Sequence, residues 1–185
     1  MTAGLFPKPY ADFVARLRVP SGFLLAAAFV WFSQPSVQSM VYGLPISIAG
    51  LALRAWAAGH LAKNQQLATS GPYAYTRNPL YLGTLIVGAG LAVAGRSVGL
   101  AVLFAAVFLL VYLPVILLEE QHLRRLFPEY TDYARRVPSL LPHRKAWPGS
   151  NRFSWRLYLK NQEYQAALGF LAGAALLLWK CWFSG

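Results

Sequence analysis

Five apolar stretches set the limits on what this chain can fold into: residues 20–34, 41–62, 79–95, 98–118 and 164–183. Their interiors carry one strongly ionised side chain, Arg54. A helix needs about 20 residues to cross the hydrocarbon core of a bilayer, and inside that core a helix satisfies its own backbone polar groups. The first stretch is short and has to borrow from its flanks. Charged residues make up 12% of the chain, about half the usual share in soluble domains. The expectation is an all-α integral membrane protein of about five transmembrane helices, with a cytoplasmic amphipathic helical segment after the fourth.

The chain divides accordingly. Residues 1–19 are a basic lead-in with Pro7 and Pro9, and 34–39 an uncharged loop. Arg96 and Ser97 make a minimal turn between the third and fourth spans, so those spans are expected to be antiparallel neighbours. Residues 119–137 read as a charged surface helix, with Leu123, Leu126, Phe127 and Tyr130 at helical spacing. Residues 138–160 are a Pro- and Arg-rich connection, and Trp179, Lys180 and Trp182 an interfacial anchor. The run around Gly88 and Gly90 reads as close helix packing, not as a dinucleotide fingerprint. The whole of 1–185 reads as a single membrane-embedded domain.

The net charge of +11 sits between the apolar stretches, where the bias of cations toward the cytoplasm explains it better than nucleic-acid binding does. With the N-terminus inside, Lys8, Arg16, Arg18, Lys63, Arg77 and the arginines after residue 118 face the cytoplasm, while Arg96 and Lys180 face outward. The C-terminus is then outside. The junction at 63–78 and the segment after 118 fall under the same leaflet, where they can share a pocket. Cys181 is the only cysteine, so no intrachain disulfide forms.

Several residues stand out from this apolar background. Asn78-Pro79 reads as an N-cap followed by the first helical residue, a start whose free N–H groups favour an anion, with Arg77 beside it. Glu119 and Glu120 are two of only six acids. At a helix C-terminus they oppose the macrodipole and call for cationic partners, either Arg124 and Arg125 or a positively charged ligand. Arg54 inside a span is a functional residue by default. Tyr73, Tyr75 and Tyr81 suit either an interfacial belt or a ligand wall, and Arg136 either a lipid-facing charge or a ligand contact. The three histidines lack metal-binding spacing, so no metal site is expected.

Four blocks in order resemble the isoprenylcysteine carboxyl methyltransferase and phospholipid methyltransferase superfamily of membrane enzymes. They are Leu53-Arg54-Ala55-Trp56-Ala57, Gln66 through Tyr73, Arg77-Asn78-Pro79-Leu80-Tyr81-Leu82-Gly83, and Glu119-Glu120 with Leu123, Phe127, Tyr130, Tyr133 and Arg136-Val137-Pro138. The resemblance covers about residues 50–142 and leaves the first and last spans aside. The family usually has histidine where this chain has Asn78, and asparagine does not titrate.

The resemblance implies S-adenosylmethionine as cofactor, held by Tyr73, Arg77, Asn78, Pro79, Tyr81, Gly83, Glu119 and Glu120. Arg54, Arg136 and Glu119 are then the candidates for catalysis. The acceptor implied is a lipid or lipid-linked small molecule entering from the bilayer. A carboxylate oxygen is slightly favoured because no dedicated base is visible. Methylation of a phospholipid amine, an NADPH-dependent sterol-type reductase and a non-enzymatic scaffold are the alternatives. Oligomeric state is not legible.

Overall fold

The computed structural model describes residues 8–149 and 151–183, so residues 1–7 of the basic lead-in lie outside it. The described residues form helices α1 (Lys8–Phe32), α2 (Val37–Ala58), α3 (Pro79–Ala94), α4 (Val98–Leu126), α5 (Tyr130–Arg136), α6 (Trp155–Lys160) and α7 (Tyr164–Phe183). Of these, α2, α4 and α7 are long and apolar enough to cross a bilayer, and α3 is a shorter apolar helix. Phe23, Val98, Leu110, Leu171 and Trp182 are exposed on the outside of the bundle, as side chains solvated by lipid are. The chain is a multi-span helical membrane protein.

Helix α1 is longer than the expected first span. It runs through Pro20 and takes up much of the basic lead-in. Helix α2 starts earlier than expected because Ser36 and Ser39 form a capping box, each side chain bonding the other's backbone N–H. It also stops at Ala58, leaving His60 outside the helix. Arg96, at φ 50°, turns the chain between α3 and α4, and the Ser97 side chain caps α4 by accepting from Leu100 N.

One end of the bundle is tied together by polar contacts. Lys180 of α7 donates to Val30 O at 2.8 Å and Ser33 O at 2.7 Å, placing a cation where the α1 dipole is negative. Gln34 N donates to Gly95 O at 2.8 Å, and Ser39 Oγ to Ala94 O at 2.9 Å. The junction at 59–78 and the described residues between Glu119 and Glu163 gather at the opposite end, where Ser154 N donates to Gly59 O and Trp147 N to Ala74 O, both at 2.9 Å.

Helices α2 and α3 make the closest packing in the fold. Gly43 faces the backbone of Gly90 and Ala94, and Gly50 faces Gly83 and Val87. Ser47 Oγ donates to Val87 O at 3.0 Å across the seam. Small residues three and four apart let two backbones meet, which is the packing use expected of Gly90. Gly88 instead receives the ring of Phe104.

Helix α4 is continuous, but contains a π-helical turn at Phe108–Tyr112. Pro114 follows it and has no N–H to offer the carbonyl of Leu110. That carbonyl accepts from Tyr10 Oη of α1 at 2.9 Å instead. The extra residue of such a turn re-aims the side chains that follow, a device common at functional sites. Here Tyr112 lies edge-on to Tyr81, with ring centroids 6.2 Å apart.

Candidate functional site

The junction between α2 and α3 has little regular structure of its own and is held by the segment after α5. Arg77 N donates to Pro138 O at 2.9 Å, Asn78 N to Ser139 O at 3.1 Å, His143 N to Tyr75 O at 2.9 Å and Trp147 N to Ala74 O at 2.9 Å. Thr76 Oγ1, which is buried, donates to Ser139 O and Leu140 O. Tyr133 Oη donates to Tyr73 O at 2.6 Å. These bonds satisfy the backbone of a loop that could not otherwise be buried. The polar hinge before α3 and the acidic end of α4 are thereby brought together.

Glu120 is the hub of that convergence. It is 6% exposed, and its carboxylate accepts from Arg77 Nε at 3.2 Å and Nη2 at 3.0 Å, Asn78 Nδ2 at 2.8 Å and Ser139 Oγ at 2.7 Å. Arg77 also donates to Ala134 O at 2.8 Å. A buried carboxylate is tolerable only with such a complete set of partners. Asn78 occupies the N-cap position, but its side chain does not cap the helix. The Asn78 amide is drawn instead to Glu120 and Ser139.

The cationic partners of the two glutamates come from elsewhere in the fold than Arg124 and Arg125. Glu119 pairs with Arg18 of α1 at 3.2 Å, both side chains about half exposed, and Arg18 lies over the Tyr81 ring at 5.5 Å. Arg124 stacks on Tyr130. Leu126, expected on the apolar side of the surface segment, is exposed.

Between these elements lies a cavity of about 510 Å³. Its wall includes Arg54, Tyr73, Arg77, Asn78, Pro79, Tyr81 and Glu119 of the residues singled out in the sequence. Three others lie elsewhere. Gly83 packs against the Arg54 stem and the Gly50 backbone. Glu120 stands behind Arg77 and Asn78. The guanidinium of Arg136 sits 5.3 Å over the Trp147 ring.

Arg54 reaches the cavity with a partner that the sequence reading did not name. Its Nε and Nη2 donate to the two oxygens of Glu163, the second at 3.1 Å. Nη1 donates to Leu80 O at 3.3 Å and to Thr84 Oγ1. Glu163, Thr84 and Asn161 all line the cavity. A signal was available: an arginine inside a span demands a counter-charge, and Glu163, one of six acids, stands at the head of the last span.

The hydroxyls of Tyr81 and Tyr130 are fully buried, beside the carboxylates of Glu119 and Glu120 respectively. Both side chains line the cavity. Burial, with the Glu120 charge second, raises the Tyr130 pKa, and burial likewise raises those of Tyr73 and Tyr133. All three are therefore neutral hydrogen-bond groups. Among the described residues, no three His, Cys, Asp or Glu side chains converge.

Fold and site together define a helical membrane protein with a polar, tyrosine-walled cavity at one end of its bundle. The chain belongs to the phospholipid methyltransferase family, whose profile matches residues 22–130. It is 32% identical over 139 residues to the cobalt-zinc-cadmium resistance protein CzcN of Cupriavidus metallidurans, covering 74% of this chain and 62% of that protein. It is 36% identical over 114 residues to the nickel-cobalt-cadmium resistance protein NccN of Alcaligenes xylosoxydans xylosoxydans, covering 60% of this chain and 52% of that protein. The alignments thus span only about half to three-fifths of the length of these curated relatives. No solved structure matches significantly.

Proposed function

We propose that this chain is an S-adenosylmethionine-dependent methyltransferase acting on a lipophilic acceptor at the cytoplasmic surface of its membrane. The carrying observation is the convergence of the α3 start and the α4 end on one cavity, in a chain of the phospholipid methyltransferase family. A volume of about 510 Å³ is within the range of small-ligand sites. The cavity fits the cofactor on a second count. Its wall sets the aromatic rings of Tyr73, Tyr81 and Tyr130 beside the charged groups of Arg54, Arg77 and Glu119, a mixture that suits a molecule carrying both an aromatic base and ionised groups. Glu119 suits the ammonium or ribose, the α3 start at Asn78–Tyr81 suits the carboxylate, and Tyr73 with the apolar wall suits adenine. Arg77 stands in the wall that the ligand rests on, Glu120 holds it from behind, and Gly83 lets α2 approach it.

When bound, S-adenosylmethionine supplies an electrophilic methyl group on a sulfonium centre. The chain's own contribution is positioning and exclusion of water, which suit an in-line displacement. Arg54, in the wall, is better placed to meet the acceptor than Arg136, which stacks on Trp147. Of the two acceptor readings, carboxylate oxygen and phospholipid amine, the family description favours the second. A tie to metal resistance, the theme of both relatives' names, would run through a methylated product.

The domain is the whole of 1–185, with five spans formed by α1, α2, α3, α4 and α7. The N-terminus and cavity are cytoplasmic and the C-terminus is outside. The gathering of helix ends into two groups supports this path, and the excess of arginine and lysine at the cavity end supports the orientation. Calorimetric titration of purified protein in detergent tests the cofactor. S-adenosylhomocysteine is expected to bind one to one and NADPH not at all. Heat with NADPH alone, or with neither, overturns the proposal.

A further inference from the structure

The cavity is closed on one side by a segment beyond the family match, which ends at residue 130. Asn161 lines the cavity and donates from Nδ2 to Ala58 O and Leu61 O, both at 2.9 Å, pinning the segment to the end of α2. Gln162 then adopts φ 54°, a left-handed conformation uncommon outside glycine. That turn sends Glu163 back to Arg54 at the cavity wall, where the carboxylate is 9% exposed. Backbone held this way marks a residue whose placement is enforced by its surroundings. A buried ion pair is seldom the most stable filling of its space, and this one opens onto a ligand-sized cavity.

We infer that the Arg54–Glu163 pair is the subsite for the acceptor's head group, and that it selects a head that donates a hydrogen bond, a hydroxyl or an amine, over a carboxylate. The inference deepens the methyltransferase reading and rests on it only for what the site is for. Four of Arg54's five N–H groups are already engaged, by Glu163, Thr84 and Leu80 O. Its charge is neutralised by Glu163. A carboxylate brought to this guanidinium would compete with Glu163 for the same donors and be repelled by it. A hydroxyl or amine meets the opposite situation, because the Glu163 oxygens keep lone pairs beyond the two that Arg54 occupies. The remaining N–H on Nη2 can donate to the oxygen of a hydroxyl head. The arginine thus fixes the glutamate, and the glutamate reads the acceptor.

The test uses the full chain in detergent and three probes with one tail: octylamine, octanol and octanoate. Titration calorimetry at neutral pH is expected to show octylamine and octanol binding more tightly than octanoate. Glu163→Gln should weaken octylamine by about tenfold while S-adenosylhomocysteine binds as to the wild type. Comparing variant with wild type cancels partition of the probes into detergent. If Glu163→Gln does not fold, Glu163→Asp serves. It keeps the charge, withdraws it by one methylene, and should preserve the order of the probes with a weaker amine affinity. Octanoate binding as tightly as octylamine, or amine affinity unchanged in the variant used, overturns the inference. A wild type that prefers octylamine but fails to bind S-adenosylhomocysteine leaves the subsite standing and removes the methyltransferase reading instead.

Discussion

Two neighbouring glutamates on α4 have opposite energetic standing. Glu120 is buried with four donors around it, and Arg77 opposite is only 12% exposed. Glu120→Ala strands that guanidinium without a counter-charge and is expected to cost about 3–5 kcal/mol. Glu119 and Arg18 are 46% and 47% exposed, so Arg18→Ala should cost roughly 1 kcal/mol or less. Denaturant unfolding of both variants in the same detergent measures the difference, and equal losses contradict the assignment of Glu120 as the hub.

The tyrosines of the site make a pH prediction at the same scale. Burial raises the pKa values of Tyr73, Tyr130 and Tyr133 above their ordinary 10.0. The unfolded chain releases these protons near pH 10 and the folded chain keeps them. Their contribution to stability is therefore complete below pH 10 and is lost as pH rises through the higher folded values. Unfolding midpoints should be flat between pH 8 and 9.5 and fall above pH 10. A midpoint that does not change up to pH 11 counts against burial of these hydroxyls.

Among the elements, the α2–α3 seam and the π-turn of α4 shape the cavity most. The seam brings Arg54 of α2 beside Thr84 and Leu80 O of α3, which is possible only because Gly43 and Gly90 let the backbones touch. A Cβ on Gly90 would lie about as close to Ser47 N, at 2.5 Å, as to the Gly43 carbonyl at 2.6 Å. Gly90→Ala should therefore lower the thermal midpoint sharply. Gly99→Ala, whose nearest neighbour would be 3.8 Å away, should leave it in place. Loss of stability at both positions, or at neither, contradicts the packing described. The π-turn has no comparable mark in the sequence. Pro114 hints at an irregularity in α4, but the placement of the extra residue depends on α1, whose Tyr10 takes the freed carbonyl.

On the scale of the whole molecule, the proposed five-span path with its N-terminus inside predicts which residues a membrane-impermeant thiol reagent reaches in intact cells. In a Cys181→Ser background, Arg96→Cys should be labelled from outside, and Arg152→Cys only after the membrane is opened. The reverse pattern inverts the orientation, and both sites on one side removes the five-span path.

The apolar run lengths determined the membrane class and the approximate helices. The Asn78-Pro79 helix start was equally legible, and the cation bias pointed to the two halves of the site lying at one end. These are local properties, set by residues close together in the chain. Which charge meets which was decided only in three dimensions. Glu120 finds Arg77 and Asn78 across more than forty residues of sequence, and Arg54 finds Glu163 across more than a hundred. Each carboxylate could have paired with nearer cations; for Glu120 these were Arg124 and Arg125, the alternative in the sequence being a positively charged ligand. Helix packing overrode sequence proximity, because a buried charge takes whatever partner the fold brings within hydrogen-bond reach, however far away in the chain it began.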